Sequence, residues 1–115
     1  MDSKELLTQG NNFLQVLPHC KKLGMKVITA SKGQATIELP YNPEILGIDS
    51  HGYVHGGILT TMMDTVCGFA VTSALPAQEF CPTLDLRMDH MRRASAKGSI
   101  FSWAQCYKIT RSICF

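Results

Sequence analysis

Hydrophobic positions divide the chain into helical and extended stretches. Over residues 2–17, Leu6, Phe13, Leu14 and Leu17 fall on one face of a helix, with Asp2 as N-cap and Glu5 three positions on. Pro18 is expected to stop that helix. Gly24 to Ala30 reads as a strand on the strength of Val27, Ile28 and Thr29. Ser31-Lys32-Gly33-Gln34 supplies a turn, and Ala35, Ile37 and Leu39 then alternate along a second strand. Pro40 and Pro43 bracket its end, and a loop runs to about Tyr53.

The run from His55 to Leu75 is different, because apolar or small side chains lie on every face of the helix it predicts. Such a helix is expected to be buried. Pro76 ends it. Leu84, Leu86 and Met88 then alternate with Thr83, Asp85, Arg87 and Asp89, the pattern of a half-buried strand. A turn is expected over Ala94 to Gly98. Next comes a strand with Phe101, Trp103 and Tyr107 on one face, opposite Ser102, Ala104 and Cys106. Arg111 to Phe115 opens one more. Helix, two strands, long helix, run of strands: the order predicts one α+β domain over residues 1–115, with an antiparallel sheet wrapped around the central helix.

Composition narrows the functional classes. A net charge of +2 over 115 residues calls for neither nucleic acid nor an anionic membrane. The 5 cysteines are Cys20, Cys67, Cys81, Cys106 and Cys114, spread out with no C-x-x-C pair, which suits neither a disulfide framework nor a zinc site. Reduced thiols in a cytoplasmic protein are the expectation, with Cys67 a poor candidate nucleophile. Asp2, Lys4 and Glu5 are followed by no continuous apolar segment, so no signal peptide is expected. Ile58 to Leu75 is long enough to cross a membrane, but Asp64 near its middle argues for a core helix instead.

Asp64 is the only carboxylate between Gly56 and Leu75. A carboxylate set among Met62, Met63, Val66 and Phe69 must be satisfied by something nearby. Either it bonds to Thr60, Thr61 or Thr65 and tunes packing, or it is held in an apolar cleft as a general base or nucleophile. His55-Gly56-Gly57 stands at the start of the same helix, where backbone N–H groups lack intrahelical acceptors and the helix dipole is positive. Glycines there let a substrate approach the backbone, which suits an oxyanion site for acyl transfer. Asp64 lies nine residues after His55, so it can act across a subunit interface rather than on its own helix end. His51 and His90 have no comparable setting and are assigned structural roles.

Gly52-Tyr53-Val54-His55-Gly56-Gly57 with Asp64 and Gly68, followed by Thr83-Leu84-Asp85-Leu86-Arg87, resembles the PaaI-like branch of hotdog-fold acyl-CoA thioesterases over roughly residues 20–115. The resemblance implies a homodimer or homotetramer that cleaves acyl-CoA without metal or cofactor, CoA being part of the substrate. Gly56, with Gly57 beside it, would polarise the thioester carbonyl. Asp64 would attack it, or activate water, from the opposite protomer. Thr83 would position that water, and His55 would orient the thioester or its loop. Arg92, Arg93 and Lys97 would meet the CoA phosphates.

Three departures stand out. Ile48 and Asp49 occupy the places where the family often has Asn or Gln, and Arg93 replaces the usual proline. The sequence also stops at Phe115, inside what should be a core strand, which implies cover by a partner subunit or a truncated form. A non-hydrolytic acyl-CoA-binding module, or an inactive truncated form, is therefore the main alternative. Hydration or dehydration of an enoyl thioester fits the His55–Asp64 spacing less naturally.

Overall fold

The carboxylate of Asp2 accepts the backbone N–H of Glu5 at 2.8 Å, so the first helix starts where its capping residue dictates. The computed structural model describes residues 2–77 and 79–115. In chain order the elements are helix α1 (Ser3–Val16), helix α2 (Pro18–Leu23), strands β1 (Lys26–Ser31) and β2 (Gln34–Leu39), helix α3 (Gly56–Ala74) and strand β3 (Ile100–Gln105). Leu6 and Leu14 are buried as their spacing requires, and Gly10 joins them.

Pro18 does not simply stop a helix. The chain turns once at Leu17, which is extended, and Pro18 opens α2. Proline suits the first position of a helix because its φ is preset and its missing N–H would have lacked an acceptor there. Gly24 ends α2 in the left-handed region, at φ 73.

The three strands form an antiparallel sheet in the order β1-β2-β3. In β1 the register slips between Val27 and Thr29, leaving Ile28 as an extra residue. That bulge reverses the alternation, so Val27 and Ala30, three apart, both face the core. Because β1 is an edge, its outward backbone groups need partners from elsewhere. Asn11 of α1 supplies them: its Oδ1 accepts the Val27 N–H at 2.9 Å, and its Nδ2 donates to the Val27 carbonyl at 3.0 Å.

Helix α3 lies against the sheet through Met62, Val66, Phe69, Ala70, Ser73 and Ala74, one stripe at helical spacing. The remaining faces are half-buried or exposed, so the expected all-round burial is not realised within one chain. Opposite the stripe stand Ala35, Ile37 and Leu39 of β2 with Ser102 and Ala104 of β3, all buried. Large side chains closed off this completely, such as Ile37, Leu39 and Val66, each contribute about 1.5–3 kcal/mol. The Ser73 hydroxyl accepts the Gly33 N–H at 2.9 Å and so ties the end of α3 to the β1–β2 turn. On β3 the small residues face inward, while Phe101 and Trp103 lie on the outer face, more than half exposed.

Two expected strands are corrected. Residues 83–89 pair with no ladder among the described residues, and Leu84 is 79% exposed. The sequence alternates polar and apolar residues there, but alternation alone makes no strand without a neighbour to take its backbone bonds. Residues 107–115 fold back on themselves instead of extending the sheet. Tyr107 and Lys108 both donate to the Phe115 carbonyl, and the Thr110 hydroxyl closes the turn on Ile113. Ile109 and Cys114 form only an isolated bridge. No described helix is long and apolar enough to cross a membrane.

Candidate active site on the third helix

Helix α3 carries the candidate groups at two levels. At its start, His55 is the N-cap, its Nδ1 accepting the Gly57 N–H at 3.0 Å. The imidazole therefore keeps Nε2 as its free nitrogen. Backbone links hold it in place, since the His55 N–H donates to the Leu46 carbonyl at 3.1 Å. Gly47, at φ 59, passes so close that a Cβ would stand 2.9 Å from that of His55. Only glycine meets both demands. The Gly56 N–H has no acceptor among the described residues, whereas that of Gly57 is already engaged by the cap. Of the expected glycine pair, Gly56 is thus the one free to bind.

Eight residues on, Asp64 is exposed in the isolated chain, not buried as its apolar neighbours suggest. The nearby threonines do not hold it. Thr60, Thr61 and Thr65 all turn their hydroxyls onto helix carbonyls four residues back. Its partner is Thr83, whose hydroxyl donates to the Asp64 carboxylate at 2.6 Å. That length is typical of a charge-assisted O–H···O⁻ bond. The negative charge of Asp64 reaches two thiols, the buried Cys20 and the half-buried Cys67. Burial first, and Asp64 second, push the Cys67 thiol above its ordinary pKa, and burial with Asp64 does the same to Cys20 against a lowering bond from Thr65. A protonated Cys67 is a poor nucleophile.

A cavity of about 510 Å³ opens beside the helix start, lined by Tyr53, His55, Gly56, His90, Arg92 and Arg93 among others. Its wall is built by backbone bonds that zip the loop before α3 to the turn after residue 89. Val54 donates to Ala94, Ala96 donates to Gly52, and Tyr53 bridges Ser95. The Arg93 guanidinium sits over the Tyr53 ring, 5.2 Å from its centre. Asp49 also lines the cavity, but its Oδ1 accepts the N–H groups of His51 and Tyr53 at 2.9 and 3.0 Å. Those bonds, the Tyr53 one foremost, hold its carboxyl below the usual range against the opposing effect of burial. Asp49 thus fastens its own loop instead of standing in for a family amide.

Arg92 and Arg93 reach this cavity, while Lys97 is exposed and not part of its lining. Asp64 and Thr83 are not part of it either. The eight residues from Gly56 to Asp64 rise about 12 Å along a helix, beyond the reach of a single carbonyl bound at Gly56. Sequence reasoning missed His90, whose ring lies against Gly56: a Cβ placed there would be 3.5 Å from its Cε1 and 3.9 Å from its Nδ1. Nothing in the residues flanking His90 signals that contact. Among the described residues no cluster of His, Cys, Asp and Glu is arranged to hold a metal.

The thioesterase superfamily profile matches residues 51–115. A Pseudomonas aeruginosa protein of known structure is 42% identical, with a TM-score of 0.77 over 92% of this chain and 78% of that one. A mutant of the phenylacetic acid degradation protein PaaI from Thermus thermophilus is 28% identical, with a TM-score of 0.68 over 82% of this chain and 76% of that one. A Halobacterium salinarum protein named as an esterase is 33% identical over 94 residues, 79% of this chain; the match spans only 61% of that protein. With its central helix against an antiparallel sheet, the chain belongs to the thioesterase superfamily, in its PaaI-like hotdog branch.

Proposed function

We propose that this protein hydrolyses acyl-CoA thioesters to free acid and CoA. The observation that carries the proposal is the Asp64 carboxylate, held by the Thr83 hydroxyl at 2.6 Å on the helix whose first N–H, at Gly56, is free. Membership of the thioesterase superfamily supports the reaction class. In the proposed reaction the carbonyl oxygen lies on the Gly56 N–H, which stabilises the charge that develops when the carbonyl carbon is attacked. Asp64 supplies the attack, as nucleophile or as the base that takes a proton from water, and Thr83 aims the carboxylate or that water. His55 caps the helix and fixes the Gly56–Gly57 entry.

The 12 Å or so between Gly56 and Asp64 favours a site shared between protomers, with the carbonyl bound by one and attacked from the other. Two copies of the chain, or four, would then be the working unit. The exposed Asp64 face of α3 is consistent with such a partner, which would also bury the carboxylate. Arg92 and Arg93 at the cavity are suited to the CoA phosphates.

The test is thiol release from short, medium, long and aryl acyl-CoAs by the purified protein. Release above the uncatalysed rate is expected for at least one class. Acyl-CoA bound without release would instead mark a binding module.

A further inference from the structure

His90 is exposed and stands against the start of α3. Its ring rests against Gly56, with Cε1 and Nδ1 at 3.5 and 3.9 Å from the place of an added Cβ. It makes no hydrogen bond to any described residue, and neither does the Gly56 N–H. Both border the same cavity. Several other polar groups at this end already have partners, although Arg92 and His55 Nε2 have none among the described residues. His55 Nδ1 holds the Gly57 N–H, Asp49 Oδ1 holds two N–H groups of its loop, and the Arg93 guanidinium rests over Tyr53.

We propose that His90 is a catalytic residue, a second hydrogen-bond donor to the thioester oxygen that Gly56 binds. The inference rests on the hydrolase reading above and adds to it a residue that the motif does not include. One backbone N–H satisfies one lone pair of a carbonyl oxygen; the charge gained during addition favours a second donor at the other. His90 is placed to give it through a ring N–H while keeping its own proton. On attack by water, whose proton Asp64 takes, the carbon–oxygen bond forms and the π pair moves onto the oxygen between Gly56 and His90. When the intermediate collapses the pair returns and the carbon–sulfur bond breaks, the sulfur leaving as thiolate and taking up the proton that Asp64 held. Water and thioester become acid and thiol, and His90 ends as it began. The titratable and polar groups that share its cavity are Asp49, Tyr53, His55, Arg92 and Arg93.

The variants are His90→Phe, which keeps a flat ring without a donor, and His90→Asn, which keeps an N–H near the place of Nδ1. Each is assayed for kcat and KM on the best acyl-CoA, with thermal unfolding to check the fold. His90→Phe is expected to lower kcat about 10–100-fold with KM within threefold, since the bond strengthens in the transition state. His90→Asn is expected to recover part of that loss. A His90→Phe enzyme, folded and within threefold of wild-type kcat, overturns the role while leaving the hydrolase reading intact. Equal losses in both variants also overturn it, since a donor then makes no difference. A wild-type protein without turnover overturns both readings together.

Discussion

The hydroxyl of Thr83 donates to the carboxylate of Asp64 across 2.6 Å, joining the long helix to a segment nineteen residues further along the chain. Both residues are exposed in the isolated chain, so no burial forces them together. The bond uses the one nearby hydroxyl that is not turned onto the helix backbone. It orients one carboxylate oxygen and leaves the other without a partner among the described residues.

That relationship can be tested at Thr83 without touching the acid. Thr83→Val keeps the shape and removes the donor, whereas Thr83→Ser keeps it. Loss of a bond to a charged group corresponds to about 1.5–3 kcal/mol, discounted here for exposure, so turnover by the valine variant should fall about tenfold. The serine variant should stay within about threefold. Steady-state thiol release checks both, and equal losses would show that packing matters rather than the hydroxyl.

A site shared between protomers makes a distinctive prediction for mixed assemblies. Gly56→Val blocks carbonyl binding and Asp64→Asn removes the acid, so each alone should be inactive. A Cβ at Gly56 meets only ordinary contacts, the nearest 3.5 Å away, and thermal unfolding checks that the larger valine leaves the fold intact. After equal mixing and subunit exchange, about a quarter of wild-type activity should return, because half of the dimers are mixed and each has one intact site. Activity that stays at background would place both groups in one protomer.

The thiol next to the acid reports the charge of Asp64. Burial and Asp64 both raise the Cys67 pKa, so its alkylation by a maleimide near neutral pH should be slow and should quicken as pH rises. Asp64→Asn removes one of the two causes, which lowers the pKa towards its ordinary value. Faster labelling at the same pH is therefore expected, read by peptide mass spectrometry. Unchanged labelling would mean that Asp64 does not act on this thiol.

Much of this fold can be read from local pattern. The spacing of Leu6 and Leu14, the alternation of Ala35, Ile37 and Leu39, and the extent of α3 are all set by near neighbours in the chain. The division of β3 into an aromatic face and a small face is equally local, although only packing reveals that the small face is the inner one. Gly56 and Asp64 could be singled out because helix starts and lone acids leave traces in the sequence, and Thr83 only because the sequence resembles a known family. Other features depend on residues far apart. Ile28 becomes a bulge only when β1 meets β2, and Pro18 begins a helix because the chain turns at Leu17. Residues 83–89 have the alternation of a strand but no partner for it. His90 meets Gly56 across 34 residues, which no local window can show.

Packing between α1 and α3 gives a stability prediction independent of chemistry. A Cβ on Gly10 would lie 2.7 Å from Phe69 Cζ and 2.9 Å from Val27 Cγ2. Gly10→Ala gains about 1 kcal/mol in helix propensity but overpacks the core by about 1–3 kcal/mol. The clash should win, lowering the thermal midpoint by a few degrees in calorimetry. A raised midpoint would mean that α1 can move away at little cost.

The central claim is that a single carboxylate, Asp64, drives thioester hydrolysis. Its most direct test is thiol release from the preferred acyl-CoA by wild type and by Asp64→Asn, which keeps the size of the side chain and removes its charge. The account predicts a loss of about 10²–10⁴-fold in kcat with the fold unchanged. An Asp64→Asn protein that turns over within threefold of wild type would contradict it.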